Sequence, residues 1–192
     1  MPKSPLTLTY EITGVCPLLM HNGRLANPLD PFAKEMSKLS CKRPKVEADY
    51  EQMARLEWRG GLYLHEGKPA LPGEMLEAAV CEGAKRSRKG KAAKAAVFCD
   101  QPATLSYDGP TDPDKLWDDP AFRLTCGVRV QRNRVMRTRP HFADWSARFD
   151  LTVLDEELEP ESVTTFLAAA GRYVGIGDFR PKFGRFSVLR VA

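Results

Sequence analysis

The residues of this chain best suited to chemistry are cations, and they fall in three groups. Gly171 to Phe186 reads Gly-Arg-Tyr-Val-Gly-Ile-Gly-Asp-Phe-Arg-Pro-Lys-Phe-Gly-Arg-Phe. Glycines such as Gly175 and Gly177 let a backbone take positive φ and come close to a ligand. Arg172, Arg180, Lys182 and Arg185 supply charge, and Phe179, Phe183 and Phe186 offer flat apolar faces. A polyanion that carries bases suits such a loop, with Phe179 the best placed to stack; the alternative is a tight helix-to-strand connection with buried phenylalanines. The second group is Arg129, Arg132, Arg134, Arg137 and Arg139, five arginines in eleven residues. Guanidinium forks match phosphate oxygens and lie flat on rings, although salt bridges to the acidic stretch Asp155 to Glu161 would also use them. The third is Lys85, Arg86, Arg88, Lys89, Lys91 and Lys94, six cations in ten residues, readable as a nucleic-acid contact or as a solvated loop.

If these groups hold phosphates, affinity falls with salt, with a log-log slope of about −0.7 per contact on a single strand. Phosphate contacts carry no sequence information, so many sequences would be accepted. Catalytic signals are thinner. His21, His65 and His141 are scattered, and there is no His-Glu-x-x-His, phosphate-loop or serine-elbow pattern. His21, beside Asn22 after the first strand, is a candidate general base. No metal or cofactor is expected.

Composition bounds the rest. A hydrophobic fraction of 43% and a charged fraction of 28% are ordinary for a globular protein, and 192 residues suffice for one domain with one core. No run nears the roughly 18 apolar residues of a membrane span. The first 16 residues lack the apolar core of a secretory signal. Five scattered cysteines without a Cys-x-x-Cys pair argue against disulfides or thiolate zinc, which points to a reducing, cytoplasmic setting. The net charge of +4 is small, but its clustering matters more to a polyanion than its sum.

The elements that must position these groups are legible in part. Leu6, Leu8, Tyr10 and Ile12 alternate with polar residues as a strand. Helices are expected around Phe32 to Leu39, and from Asp49 to Gly60-Gly61 with Asp49 as cap. A hairpin should turn at Glu66-Gly67-Lys68 and lead through Pro72-Gly73 into a helix carrying Met75, Leu76, Ala79 and Val80. Pro102 to Pro120 reads as an irregular surface connection. The arginines from 129 to 139 lie on strand with a bulge or hairpin tip near Gln131-Arg132-Asn133. Trp145 to Val153 alternates cleanly. A last helix starts at Glu159-Pro160 and stops at Gly171, and a last strand holds Phe186, Val188 and Val191. Setting aside an insertion over about 17–72 and the connection over about 100–121, this is an α+β chain in the β-α-β-β-α-β order of the ferredoxin-like fold, whose open sheet is also the RNA-recognition platform. Residues 95–98 offer a further strand.

Three stretches resemble the RAMP superfamily of CRISPR systems, most closely the crRNA-binding backbone subunit of effector complexes: the first strand running into Gly14-Val15-Cys16-Pro17-Leu18-Leu19-Met20; Leu71-Pro72-Gly73-Glu74-Met75-Leu76-Glu77-Ala78-Ala79; and Gly175 to Phe186. The resemblance implies a single RAMP-like domain over 1–192. It implies guide RNA held along a basic surface, head-to-tail association into a filament, and further effector-complex subunits as partners in an antiviral ribonucleoprotein, with a single-stranded DNA target left open. Where that family often has a serine-rich, lysine-containing helix entry, Glu74 and Glu77 stand here. Two alternatives accompany this non-catalytic reading. One is a RAMP-type endoribonuclease using His21, as its processing enzymes do, or Asp30, which occupies the loop where some backbone subunits hold a metal-dependent aspartate but which could equally cap the following helix. The other is a phage- or mobile-element-borne mimic of a backbone subunit that acts as an interaction protein.

Overall fold

The computed structural model describes residues 5–130, 133–154 and 158–191, and among them the chain is mixed α and β. Its central sheet is built on β1 (Leu6–Gly14). Leu8, Tyr10 and Ile12 are buried on one face of β1, as the alternation requires, while Thr7, Thr9, Glu11 and Thr13 line the other. β9 (Ser146–Val153) pairs antiparallel with one edge of β1, and β10 (Phe186–Arg190) pairs antiparallel with the other.

Beyond β9 lie β5 (Val97–Phe98) and β6 (Ala103–Ser106), which pair with its two ends. β6 also pairs with β4 (Lys68–Leu71), which forms a hairpin with β3 (Leu64–His65) around Glu66 and Gly67, both at positive φ. The strand order is therefore β10-β1-β9-β6-β4-β3. The stretch read as an irregular connection thus contributes a sheet strand, β6, and a short helix, α5 (Pro113–Asp118), capped by Asp112. A four-residue strand burying only Ala103 and Leu105 leaves too short a pattern to stand out among prolines.

α3 (Gly73–Lys85) and α6 (Pro160–Tyr173) cover the apolar face of the sheet, and α4 (Gly90–Ala96) returns the chain to β5. Gly83 permits the closest approach of the two long helices, since a Cβ there would lie 1.8 Å from the Phe166 carbonyl oxygen. β4 and β9 run in the same direction, so the helices that follow them do as well, and their C-terminal ends meet: the Arg86 guanidinium stacks 4.1 Å from the Tyr173 ring centroid. α6 does not stop at Gly171, whose missing side chain makes room for Phe186; it ends at Tyr173, and Gly175, at φ +76°, donates its N–H back to the Ala170 carbonyl.

The arginine-bearing strands stand apart from this sheet. β7 (Arg123–Val130) and β8 (Asn133–Phe142) form a hairpin, and β2 (Leu18–Leu19) adds to β8 to make a separate three-stranded sheet. The hairpin is backed by α2 (Glu47–Gly61) rather than by α3 or α6. Trp58 Nε1 donates to the Phe122 carbonyl at 2.8 Å, and Gly61 lets Pro140 pack against α2. α1 (Pro31–Cys41) packs against α2. Asp49, expected as the cap of α2, sits inside its first turn, accepts from the Val46 N–H and pairs with Lys42. No helix among the described residues is long and apolar enough to cross a membrane.

Candidate nucleic-acid interface

The loop after β2, the arginine hairpin and the glycine loop converge on one cleft of about 590 Å³, with His21, Arg137, Arg139, Asp178, Phe179 and Glu57 among its lining residues. α1 forms its opposite wall through Ala33, Met36 and Ser37.

An ion network fixes the floor of this cleft. Arg139 donates through Nη1 to Glu57 Oε1 at 2.9 Å and through Nε to Asp178 Oδ2 at 2.8 Å. Arg137 reaches the same Glu57 oxygen at 3.1 Å, and the Thr138 N–H donates to Glu57 Oε2 at 2.9 Å. One buried carboxylate thus binds three successive residues of β8. The expectation that Arg139 grips phosphate is corrected here: its side chain is only 8% exposed, and two carboxylates already hold its fork. Arg137, half-buried, keeps one side toward the cleft. Among the described residues, the acids that hold Arg137 and Arg139 are Glu57 and Asp178, while the acids at 155–157 lie outside the described residues.

Arg129 and Arg134 fare differently. They are direct cross-strand partners, and both are exposed. Arg134 has no partner among the described residues. Arg132 lies outside the described residues.

The glycine loop separates its phenylalanines cleanly. Phe186 is 3% exposed and belongs to the core; Phe183 is half-buried beneath Lys182, whose Nζ lies 5.7 Å from its ring; Phe179 is 37% exposed at the cleft mouth. Phe179 also holds φ at +53°, unusual for a non-glycine residue and a mark of local strain. The glycines are required by the loop's own packing. A Cβ on Gly177 would fall 2.3 Å from the Leu19 carbonyl oxygen, and one on Gly184 would fall 1.8 Å from that of Ile176. Gly175 is less tightly enclosed, with a Cβ there 2.9 Å from the Phe183 and 3.0 Å from the Gly184 carbonyl oxygen. Their freedom lets the loop press on β2, where Asp178 N–H donates to Leu19 and Gly184 N–H to Pro17. Arg180, Lys182 and Arg185 are exposed along its outer side.

The remaining cations lie elsewhere. Lys85 pairs with Glu82, Arg86 stacks on Tyr173, and Arg88 and Lys89 are exposed in the α3–α4 turn. Arg172 covers the same ring, with its guanidinium 5.2 Å from the Tyr173 centroid. The solvent face of the main sheet carries Thr9, Glu11, Thr104, Ser106, Arg148 and Asp150, with Phe98 of β5 on the same face opposite Thr152.

Of the catalytic candidates, Asp30 caps α1 by accepting from the Phe32 N–H at 2.9 Å and pairs with Arg24 at 2.8 Å. Partial burial pushes its carboxyl upward, but the Arg24 guanidinium and the Phe32 amide outweigh this and hold it below the usual range. His21 faces the cleft; burial first, then Arg139, push its pKa below the ordinary 6.5, with Asp178 and Glu57 pulling the other way. A neutral imidazole beside guanidinium groups can accept a proton. Burial pushes the Cys99 thiol up to about 12, which removes it as a nucleophile. Among the described residues no group of His, Cys, Asp and Glu is placed to hold a metal ion.

Glu57, Asp178 and Tyr173 escaped the sequence reading as organising residues. Only Asp178 carried a signal, as the lone acid in a basic loop. A further cleft of about 690 Å³ opens on the other side of α2, where the Arg123 guanidinium lies 4.5 Å from the Trp117 ring centroid. No protein-family model matches the chain, and no curated protein matches it significantly.

Proposed function

We propose that the chain is a non-catalytic, RNA-binding subunit of the RAMP type that assembles head to tail along a guide RNA in a CRISPR effector complex. The observation that carries this reading is the meeting of Phe179 and the arginine hairpin at one cleft, because the glycine loop is one of the three stretches behind the resemblance and His21, on the same cleft, directly follows another. A base stacks on Phe179, and phosphates run toward Arg180 on one side and the Arg129–Arg134 pair on the other. The strand order β10-β1-β9-β6 supports a ferredoxin-like core made of β1, α3, β6, β9, α6 and β10. The insertion modifies that plan, since β4 and not β1 feeds α3. A cleft walled by loops, with an aromatic at its mouth, suits a single strand better than a duplex.

Purification followed by extraction and sizing of bound nucleic acid tests this, together with salt titration of binding to single-stranded RNA and DNA. RNA should copurify, and affinity should fall with salt. A protein that carries none and binds no single strand in a salt-dependent way ends the proposal.

His21 favours a second reading, an endoribonuclease. Its neutral imidazole would take the proton of a 2′-hydroxyl as that oxygen attacks the adjacent phosphorus and the 5′-oxygen leaves with a proton from water, giving a cyclic phosphate and a 5′-hydroxyl, with Arg137 beside the phosphate. Incubation with a repeat-bearing RNA, with and without divalent metal, decides it; uncut RNA dismisses it. Asp30 contributes less to this reading, since its cap and its Arg24 pair already engage its oxygens.

A further inference from the structure

α3 and α6 run parallel and end together, and the cations gathered at that end do not line the nucleic-acid cleft. Tyr173, the last residue of α6, is 47% exposed, and two guanidinium groups lie over its ring: Arg86 at 4.1 Å from the centroid and Arg172 at 5.2 Å. A cation held by a ring keeps its N–H donors unspent, and neither side chain donates to a carboxylate or a carbonyl among the described residues. The turn after α3 carries Arg88 and Lys89, both exposed and likewise without a side-chain partner there. Lys89 N–H donates to the Ala84 carbonyl and Arg88 N–H to that of Lys85, the two bonds that close a helix through a left-handed residue, here Arg88 at φ +59°. Glycine is the usual occupant of such a position; an arginine costs stability there and adds a cation to this end. Glu82, on the last turn of α3, is taken up by Lys85.

Cations that serve only to complement a helix end sit on its last carbonyls. These do not: ring or solvent takes the side chains, and the carbonyls of Arg86, Ser87, Arg172 and Tyr173 accept none of the loop bonds among the described residues. The site therefore presents free donors on its side chains and free acceptors on its backbone. We infer that this end of the helix pair docks the N-terminus of a partner protein's helix, one with acidic residues in its first turn. Such an end supplies carboxylates for the guanidinium forks and unpaired N–H groups for the last carbonyls, and its positive dipole end meets two negative ones. A nucleic-acid backbone meets the first demand but not the second, since its phosphates only accept. Tyrosine and arginine are also the side chains that most often anchor protein interfaces. Arg86, Arg88, Lys89 and Arg172, first read as contacts for nucleic acid, are thereby assigned to a protein partner.

The test uses an alanine-based helical peptide of about twenty residues with Asp and Glu in its first turn. It is labelled with fluorescein at its C-terminus and titrated with the whole protein by anisotropy. A second peptide of the same composition carries those acids in its last turn. The first should bind about tenfold tighter than the second, and joint Arg86→Glu and Arg172→Glu substitution should remove that preference. Arg88→Gly should raise the melting temperature and yet weaken the first peptide severalfold. Equal binding by the two peptides overturns the inference, as does full affinity for the first in the doubly reversed variant or in Arg88→Gly. So does displacement of the first peptide by a single-stranded oligonucleotide at equal charge concentration, which would return the patch to nucleic acid.

Discussion

Arg139 of the hairpin and Asp178 of the glycine loop are joined at 2.8 Å, and the other arm of the same guanidinium rests on Glu57 of α2. Three segments distant in sequence therefore share one charge. Their mutual geometry, and with it the position of Phe179 one residue after Asp178, depends on that contact.

Removing Glu57 leaves Arg139 buried beside a single remaining acid and also orphans the Thr138 N–H. Glu57→Ala should cost roughly 3–5 kcal/mol, the range for breaking a buried pair. Chemical denaturation measures it. Glu57→Leu combined with Arg139→Met should recover much of the loss, because replacing both charges is far milder than stranding one.

The two ends of the glycine loop should respond in opposite ways. Phe179→Gly relieves a left-handed backbone and removes a ring that is 37% exposed, so the melting temperature should hold or rise while affinity for single-stranded RNA drops by about 1–3 kcal/mol. Phe186→Ala, in the core, should lower stability by roughly 3–5 kcal/mol. Thermal melting and a filter-binding assay on the same samples separate the effects.

Gly177→Ala forces a side chain against the Leu19 carbonyl at a φ of +77°. A loss of order 1–3 kcal/mol is expected from the backbone strain alone. If the melting temperature were unchanged, the described packing of the loop on β2 would be wrong.

Charge reversal at Arg134 and at Arg180 should each remove about one phosphate contact and flatten the log-log salt dependence by about 0.7. The same reversal at Arg139 should instead lower folding stability, since that side chain holds the floor together.

His21 makes stability depend on pH on the acid side. Its folded pKa lies below the ordinary 6.5, so above pH 6.5 both folded and unfolded chains carry it neutral. As the pH falls through 6.5 the unfolded chain gains a proton that the folded one refuses, and stability drops. Denaturation midpoints at pH 7.5 and 5.5 should differ less in His21→Asn than in the parent.

What could be read in advance was what depends on neighbours in sequence. The alternation from Leu6 to Ile12 and from Trp145 to Val153, the turn at Glu66-Gly67 and the helix start at Pro160 are local signals, and the structure contains each of them. The end of α6 was misjudged because Gly171 has a packing reason to be glycine, which looks identical to a stop signal in the sequence. Membership of β7 and β8 in a separate sheet was invisible, since it follows from their contact with α2, more than sixty residues earlier. The same holds within the site. Arginine spacing marked the hairpin, but only the fold reveals that Arg139 faces two carboxylates while Arg134 faces solvent.

α2 lies in a segment that interrupts the strand-helix order and so looks removable. Yet Glu57, Trp58 and Gly61 all face the hairpin, holding its strand by charge, its entrance by an indole N–H and its proline by close approach. The interruption is the mould on which the basic hairpin is cast. A shortened version of this protein must keep α2, because excising it would leave the arginines on a ribbon too small to hold a shape in water.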